Sequence, residues 1–333
     1  MEKLALHELW MLPYDLEEER AKEFLRRRGA GRVGVQLPPG LGGCWPEIGA
    51  TLEECGVEGI LVGSSCYGAC DLADEEALKA GCGALLHYGH SDMGLPSKLP
   101  VLYIEARMRV DPSPAVEDAL HGLGYKRLGL TTTVQHLSYL ENLRKLLLSR
   151  GFEVHIGKPS GRAKYLGQIL GCDVGSATSV AEKVEAFLHV GTGSFHPLGV
   201  AAATGKTVIS VNPLGGRTVL SAAEFLRWRR GVVAKALSCR TFGILLSTKK
   251  GQWRPELARR VEKELRKEGR KTVMLVQDEI RVGDLKDFGM EAYVCTACPR
   301  IALDDARSTG EILLTPFETE VMLGKRGLEP YLL

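Results

Sequence analysis

Nine cysteines stand in this chain of 333 residues, at positions 44, 55, 66, 70, 82, 172, 239, 295 and 298. An odd count in a chain of this size argues against a disulfide scaffold. It leaves core thiols, metal ligands and redox groups. Three of the nine differ from the rest in their setting. Cys70 closes Tyr67-Gly68-Ala69-Cys70, Cys172 closes Leu170-Gly171-Cys172, and Cys298 lies in Ala297-Cys298-Pro299-Arg300. Each falls in a different third of the chain. Thiolates are soft ligands suited to iron–sulfur clusters. One thiolate from each third, meeting at a central point, would hold a cluster by three ligands and leave one iron open to a substrate.

The other cysteines read differently. Cys44, Cys55, Cys82 and Cys239 are expected to be small core residues. Cys66 and Cys295 form close pairs, Cys66-x-x-x-Cys70 and Cys295-x-x-Cys298. Two such pairs could make a four-cysteine zinc site, and the second alone could be a redox dithiol. A zinc site would leave Cys172 unused, so Cys66 and Cys295 are read as structural. Asp71, directly after Cys70, looks like a helix cap. Pro299 biases Cys298 toward extended backbone, which presents its thiol from a loop. The chain lacks a Cys-x-x-x-Cys-x-x-Cys run, a G-x-x-x-x-G-K-[ST] phosphate loop and an H-E-x-x-H helix.

The elements that must position these thiols repeat three times. Each repeat opens on a short β-rich run: Val33–Gln36, Leu128–Thr132 and Phe242–Ser247. A Gly-rich or polar loop follows, then an amphipathic helix and a second apolar strand, at Gly59–Val62, Phe152–Ile156 and Thr272–Val276. Strand, helix, strand at this spacing is a βαβ unit with parallel strands. Third strands are expected at Ala84–His87, Ala186–Val190 and Ala292–Cys295, and fourth strands at 101–106 and 207–212. The fold class is therefore α/β: three repeated α/β domains with parallel sheets, arranged around a central site. Boundaries fall near 118 and 238, giving 1–118 with Cys70, 119–238 with Cys172 and 239–333 with Cys298. The helix predicted over Ala222–Leu237 could belong to either neighbour. In open parallel sheets, ligands bind beyond the C-terminal strand ends. The least ordinary loops, among them QLPPGLGG, TTTVQH, STKKGQ, HYGHS and GTGSFHP, all fall there.

Composition sets the remaining bounds. Hydrophobic residues make up 44% and charged residues 25%, ordinary for a soluble globular chain. A net charge of +2 makes no case for direct nucleic-acid binding. No apolar run is long enough for a membrane span, and the N-terminal stretch is acidic and broken by Pro13, unlike a secretory signal. A cytoplasmic location is expected.

Several motifs together resemble one family. Tyr67-Gly68-Ala69-Cys70-Asp71, Gly167-Gln168-Ile169-Leu170-Gly171-Cys172, Phe195-His196-Pro197-Leu198-Gly199 and Ala297-Cys298-Pro299-Arg300 are similar to motifs of the archaeal diphthamide synthase radical enzymes. So are Thr131-Thr132-Thr133-Val134-Gln135-His136, Lys249-Lys250-Gly251-Gln252 and Leu314-Thr315-Pro316. The resemblance runs in order from about residue 30 to 325. It implies a homodimer of three-domain chains, each with a 4Fe-4S cluster held by Cys70, Cys172 and Cys298. It also implies S-adenosylmethionine as cosubstrate at the open iron, cleaved to a 3-amino-3-carboxypropyl radical. That group would be added to an imidazole carbon of one histidine in translation elongation factor 2, the first step of diphthamide formation. The electron donor is not identified by sequence.

Polar residues at strand ends are candidates for holding the cofactor: Gln135, His136, Ser194, His196, Lys249 and Gln252, with the backbone of Gly193 free to approach a carboxylate or ribose closely. The plainer readings are loop imidazoles satisfied by backbone for His136, His196, His87 and His90, and a surface charge pair for Lys249 and Lys250. Arg300 has Asp304 and Asp305 as alternative partners to a cofactor carboxylate. Within enzymes, the rival is a quinolinate-synthase-like dehydratase built on the same cluster plan. Outside them, it is a non-catalytic partner subunit, or a three-domain zinc or small-molecule binding protein.

Overall fold

The structure, a computed structural model, describes residues 14–332. The N-terminal stretch through Pro13 lies outside them. Among the described residues no helix is long and apolar enough to cross a membrane. The chain divides into two compact units. The first ends at Pro112 and includes Val134–Tyr139; the second comprises Ser113–Thr133 and Leu140–Leu333.

In the first unit, β1 (Tyr14–Asp15), β2 (Arg32–Gln36), β3 (Glu58–Val62), β4 (Ala84–Tyr88), β5 (Val101–Ile104) and β6 (Arg107–Met108) follow one another. Strands β2 to β5 form a parallel sheet in the order β3-β2-β4-β5. Helices cover both faces. Val33, Val35 and Leu86 pack on one side with Leu25, Ile48 and Leu52 of helices Glu18–Arg28 and Trp45–Glu54. Leu85 and Val62 pack on the other with Ala77 of helix Asp74–Lys79. Burial on both faces explains why these strands read as continuous apolar runs.

The second unit carries β7 (Arg127–Thr132), β8 (Glu153–His155), β9 (Ala186–Val190), β10 (Thr207–Val211) and β11 (Arg217–Leu220) in one sheet. A second sheet holds β12 (Thr241–Ser247), β13 (Lys271–Gln277), β14 (Ala292–Cys295) and β15 (Leu313–Leu314). Their orders are β8-β7-β9-β10-β11 and β13-β12-β14-β15. All three large sheets thus share one plan: second strand, first, third, fourth. The pairs are parallel except β11, which runs antiparallel to β10. Sequence reading did not anticipate β11, β15 or the short antiparallel pair β1–β6. Each is an edge or two-residue strand with too little pattern to register.

The repeat extends to single residues. The first strand of each sheet has a central glycine, Gly34, Gly129 or Gly243, paired across the ladder with Leu85, Phe187 or Tyr293 of the third strand. A Cβ on Gly129 would sit 2.3 Å from the Phe187 ring, and one on Gly243 would sit 2.5 Å from Tyr293. On Gly34 it would lie 2.8 Å from Ala77 and 3.1 Å from Leu85. The missing side chain is the space into which the third-strand residue folds.

The helix Ala222–Ala236, ambiguous in sequence, is tied to the last third of the chain. Arg229 and Glu318 are both fully buried and share two bonds of 2.5 Å. The guanidinium also donates to Ala302 O at 3.0 Å and Leu313 O at 2.8 Å, and Tyr331 Oη donates to Glu318 at 2.8 Å.

Replacing Gly243 with Ala forces Tyr293 out of its place, and Tyr293 Oη is held by Leu285 O. Overpacking of this kind costs about 1–3 kcal/mol. Urea denaturation should show that loss for Gly243→Ala. The added substitution Tyr293→Leu should then cost less in the Gly243→Ala background than in the parent chain.

Candidate functional site

Parallel strands return every connecting helix to the N-terminal edge, so the loops leaving the strands gather at the C-terminal edge. Cys70 lies in the segment after β3, and Cys298 follows β14. The Cys172 segment is bridged to the end of β7, where Thr132 pairs with Gln168. Cys55, Cys82 and Cys239 instead precede β3, β4 and β12, at the opposite edges. Cys70, Cys172 and Cys298 are partly exposed, as is Cys55; Cys44, Cys66, Cys82, Cys239 and Cys295 are buried.

In the first unit the Cys70 loop hangs on Gln36, the last residue of β2. Its Nε2 donates to Asp71 O at 2.6 Å, and its Oε1 accepts from Ala73 N at 3.1 Å and from His87 Nδ1 at 2.8 Å. Asp71 is not a helix cap, contrary to expectation. Its N–H closes a turn onto Gly68 O, and its carboxylate accepts from Ser65 Oγ at 3.3 Å. The helix begins only at Asp74, with Ala73 at its N-cap. The loop is held by the buried amide of Gln36 rather than by helix capping.

In the second unit Leu170 and Asp173 exchange two backbone bonds of 2.9 and 3.0 Å, leaving Gly171 and Cys172 at the tip. Asp173 fixes that tip: its carboxylate accepts from Ser160 Oγ and from the backbone of Arg162, Ala163 and Gly175, at 2.6–2.9 Å. Burial alone would push its pKa up, but these four donors hold it below the usual carboxylate value. Arg162 Nη1 lies 3.7 Å from Cys172 Sγ. Gly171 has no room for a side chain, since a Cβ would stand 1.7 Å from the Phe195 ring. Two motifs separate in sequence, LGC and FHPLG, thus meet in space.

Cys298 has extended backbone (φ −75°, ψ 128°), as the following proline requires, and precedes the helix Pro299–Leu303. Cys295 Sγ donates to Cys298 O at 3.5 Å. Burial pushes the Cys295 thiol up to about 12, so it stays protonated. This suits the structural role read from the sequence. A cavity of about 250 Å³ in this unit is lined by Cys172 together with Ala297 and Pro299, the residues on either side of Cys298. Arg254, Thr315 and Phe317 complete much of its wall. Arg254 was not singled out by sequence. Its position just before Pro255, the first residue of helix Pro255–Lys267, was the available signal.

The polar residues proposed from sequence do not line this cavity. In the first unit, Gln135 Nε2 donates to Gly89 O at 2.7 Å and lies 3.4 Å from Glu105 O. His136 is buried, with no hydrogen-bond partner at Nδ1, and desolvation lowers its pKa to about 4. His87 is also driven well below 6.5, by burial and then by His90. In the second unit, Gly193 (φ 79°) and Ser194 lie exposed at the start of helix Phe195–Thr204. His196 stacks on His189 at 6.4 Å, and its pKa falls to about 4 through desolvation and the Arg300 charge. Lys249 and Gln252 are buried in one turn, joined by Gln252 N to Lys249 O at 2.9 Å. Arg300 pairs with Asp304 at 3.3 Å and Asp305 at 3.6 Å, the plainer of its two readings.

Three parallel sheets of one topology, each with a partly exposed cysteine at its C-terminal edge, define an α/β protein of repeated units. Residues 37–332 match the family described as "Putative diphthamide synthesis protein". The chain is 40% identical over 319 residues to the 2-(3-amino-3-carboxypropyl)histidine synthase of Pyrococcus horikoshii, covering 94% of this chain and 92% of that one. It is 30% identical over 326 residues to subunit 1 of the corresponding Schizosaccharomyces pombe synthase, covering 92% and 72%. The crystal structure of Dph2 from Pyrococcus horikoshii with a 4Fe-4S cluster superposes with a TM-score of 0.87 at 39% identity, over 97% of this chain and 94% of that one. This chain belongs to the diphthamide synthesis family.

The depressed His136 fixes the sign of a pH effect. Unfolded, this imidazole takes a proton below about 6.5; folded, only below about 4. Stability should hold above pH 6.5 and fall as the pH drops toward 4, by on the order of 3 kcal/mol from this group. In His136→Gln, the plot of urea midpoint against pH should be flatter over that window.

Proposed function

We propose that this chain is a 2-(3-amino-3-carboxypropyl)histidine synthase acting in the first step of diphthamide biosynthesis. It moves the 3-amino-3-carboxypropyl group of S-adenosylmethionine to an imidazole carbon of a histidine in translation elongation factor 2. Cys70, Cys172 and Cys298 hold a 4Fe-4S cluster, and the protein works in the cytoplasm as a homodimer with a separate electron donor. The observation that carries this reading is the placement of these thiols: each is partly exposed at the C-terminal edge of a parallel sheet, and Cys172 shares a cavity wall with both neighbours of Cys298.

The residues present fit the group. The donors are three cysteines, soft ligands suited to an iron–sulfur cluster, and Arg162 Nη1 lies 3.7 Å from Cys172 Sγ. When bound and reduced, such a cluster supplies an electron for breaking the carbon–sulfur bond of a sulfonium and an open iron for its amino and carboxylate groups. The chain's own residues do the rest. Asp173 and Gln36 hold the thiol-bearing loops in place, and Phe195 packs against the Cys172 tip. Arg254 offers the cavity a guanidinium suited to a carboxylate. Gln135, His136, Gly193, Ser194, His196, Lys249 and Gln252 stay as cosubstrate candidates on their sequence position alone, since none lines this cavity. Among these, the orphaned Nδ1 of His136 is a ring nitrogen ready for a ligand donor.

The test is anaerobic reconstitution followed by incubation with dithionite, S-adenosylmethionine and elongation factor 2, read by mass spectrometry of the target-histidine peptide. The expected gain is one 3-amino-3-carboxypropyl group, abolished in Cys70→Ala, Cys172→Ala and Cys298→Ala. Absence of both that gain and methylthioadenosine, from protein that carries its cluster, would overturn the assignment. Arg254→Ala should raise KM for S-adenosylmethionine about 10-fold or more, as loss of a charged hydrogen bond worth about 1.5–3 kcal/mol requires.

A further inference from the structure

Three side chains in the first unit meet in a way that the transfer reaction does not use. Cys66, His87 and His90 each bring one ligand atom to a common point, all within 4.8 Å of one another. Cys66 and His87 are buried and His90 is half-buried, which leaves an approach from the His90 side. The two imidazoles face each other, with His87 Nε2 3.0 Å from His90 Nδ1.

The proton on His87 can be placed by elimination. Gln36 Nε2 donates to the carbonyl of Asp71, so Gln36 Oε1 is the acceptor atom of that amide. His87 Nδ1 lies 2.8 Å from this oxygen and must carry the hydrogen. His87 Nε2 is therefore a lone pair, directed toward His90. A histidine whose far nitrogen donates to a fixed oxygen is in the state that metal-binding histidines adopt, with tautomer and ring orientation set from outside.

We propose that Cys66 Sγ, His87 Nε2 and His90 Nδ1 bind a divalent cation of the zinc class, with a fourth position open to water. One sulfur and two imidazole nitrogens are borderline-soft donors that suit such an ion. Two nitrogens at zinc bond lengths and a tetrahedral angle stand about 3.3 Å apart. The 3.0 Å seen between the imidazoles needs only a slight opening. On binding, the Cys66 thiol proton is released to solvent, the sulfur–metal bond forms, and the His90 proton moves from Nδ1 to Nε2. No change of oxidation state is involved. The cation would fasten the segment leading to Cys70 onto the end of β4. This site uses none of the three thiols assigned to the cluster and stands or falls apart from the synthase reading.

The probe is cobalt(II) alone, added without oxygen to the chain carrying Cys70→Ala, Cys172→Ala and Cys298→Ala. One equivalent should bind, with a thiolate-to-cobalt charge-transfer band and the visible bands of a tetrahedral ion, and zinc(II) should displace it. Adding Cys66→Ser should abolish the charge-transfer band, and adding His90→Ala should weaken binding by at least tenfold. No binding, or a band that survives both substitutions, overturns the proposal. If the triple variant does not fold, the unsubstituted chain is assayed for zinc alongside iron and sulfide after zinc loading and desalting. One zinc per chain, lost in His90→Ala with iron and sulfide unchanged, supports the site; none overturns it.

Discussion

Strand direction is the constraint on which the rest depends. In a parallel sheet each crossover helix carries the chain back to the starting edge, so every loop that leaves a strand is delivered to the other edge. The direction of β3 and β14, and the bridge from β7 to Gln168, put Cys70, Cys172 and Cys298 each in a segment at the C-terminal edge of its own sheet. Cys55, Cys82 and Cys239 are of the same residue type but enter before their strands begin. Topology, rather than cysteine chemistry, separates the two groups.

Positioning then falls to a few buried polar groups. Gln36 and Asp173 play parallel parts in different units: each is a buried residue that spends its hydrogen-bonding capacity on the backbone of a cysteine-bearing loop. A loop held in this way keeps its geometry without regular secondary structure. Since a buried polar atom left unpaired costs about 1–3 kcal/mol, the arrangement resists small displacements. Arg162 adds charge to one of these loops.

Much of this was legible in the sequence because strands covered on both faces leave continuous apolar runs. The first three strands of each repeat lie within a residue or two of where those runs place them. The fourth, Val101–Ile104 and Thr207–Val211, are slightly shorter than expected. The edge strand Arg217–Leu220 has a largely exposed pattern and left no such trace. Asp71 was misread because a capping residue and a loop residue held by a distant glutamine look alike locally. Gln36 was invisible for the same reason: its partners lie 35 to 51 positions away. The strand glycines were readable in principle, as RVGV, RLGL and TFGI stand at matching places. Their meaning appears only once the third-strand partner is known. Of the site, the three cysteines could be proposed from motif and setting. The cavity wall, Arg254 included, requires the fold.

The buried Arg229–Glu318 pair has a bearing on how far the repeats are separate bodies. By topology the last two sheets are copies of one plan, and a cut before β12 looks natural. Electrostatically the cut is forbidden. It would strand a guanidinium on one piece and, on the other, a carboxylate walled in beside Tyr331 without its cation. Neither piece could keep its native packing without first drawing water into its interior. The two sheets are therefore repeats in pattern and a single body in thermodynamics. Mutational damage in one should be felt as loss of cooperativity in the other.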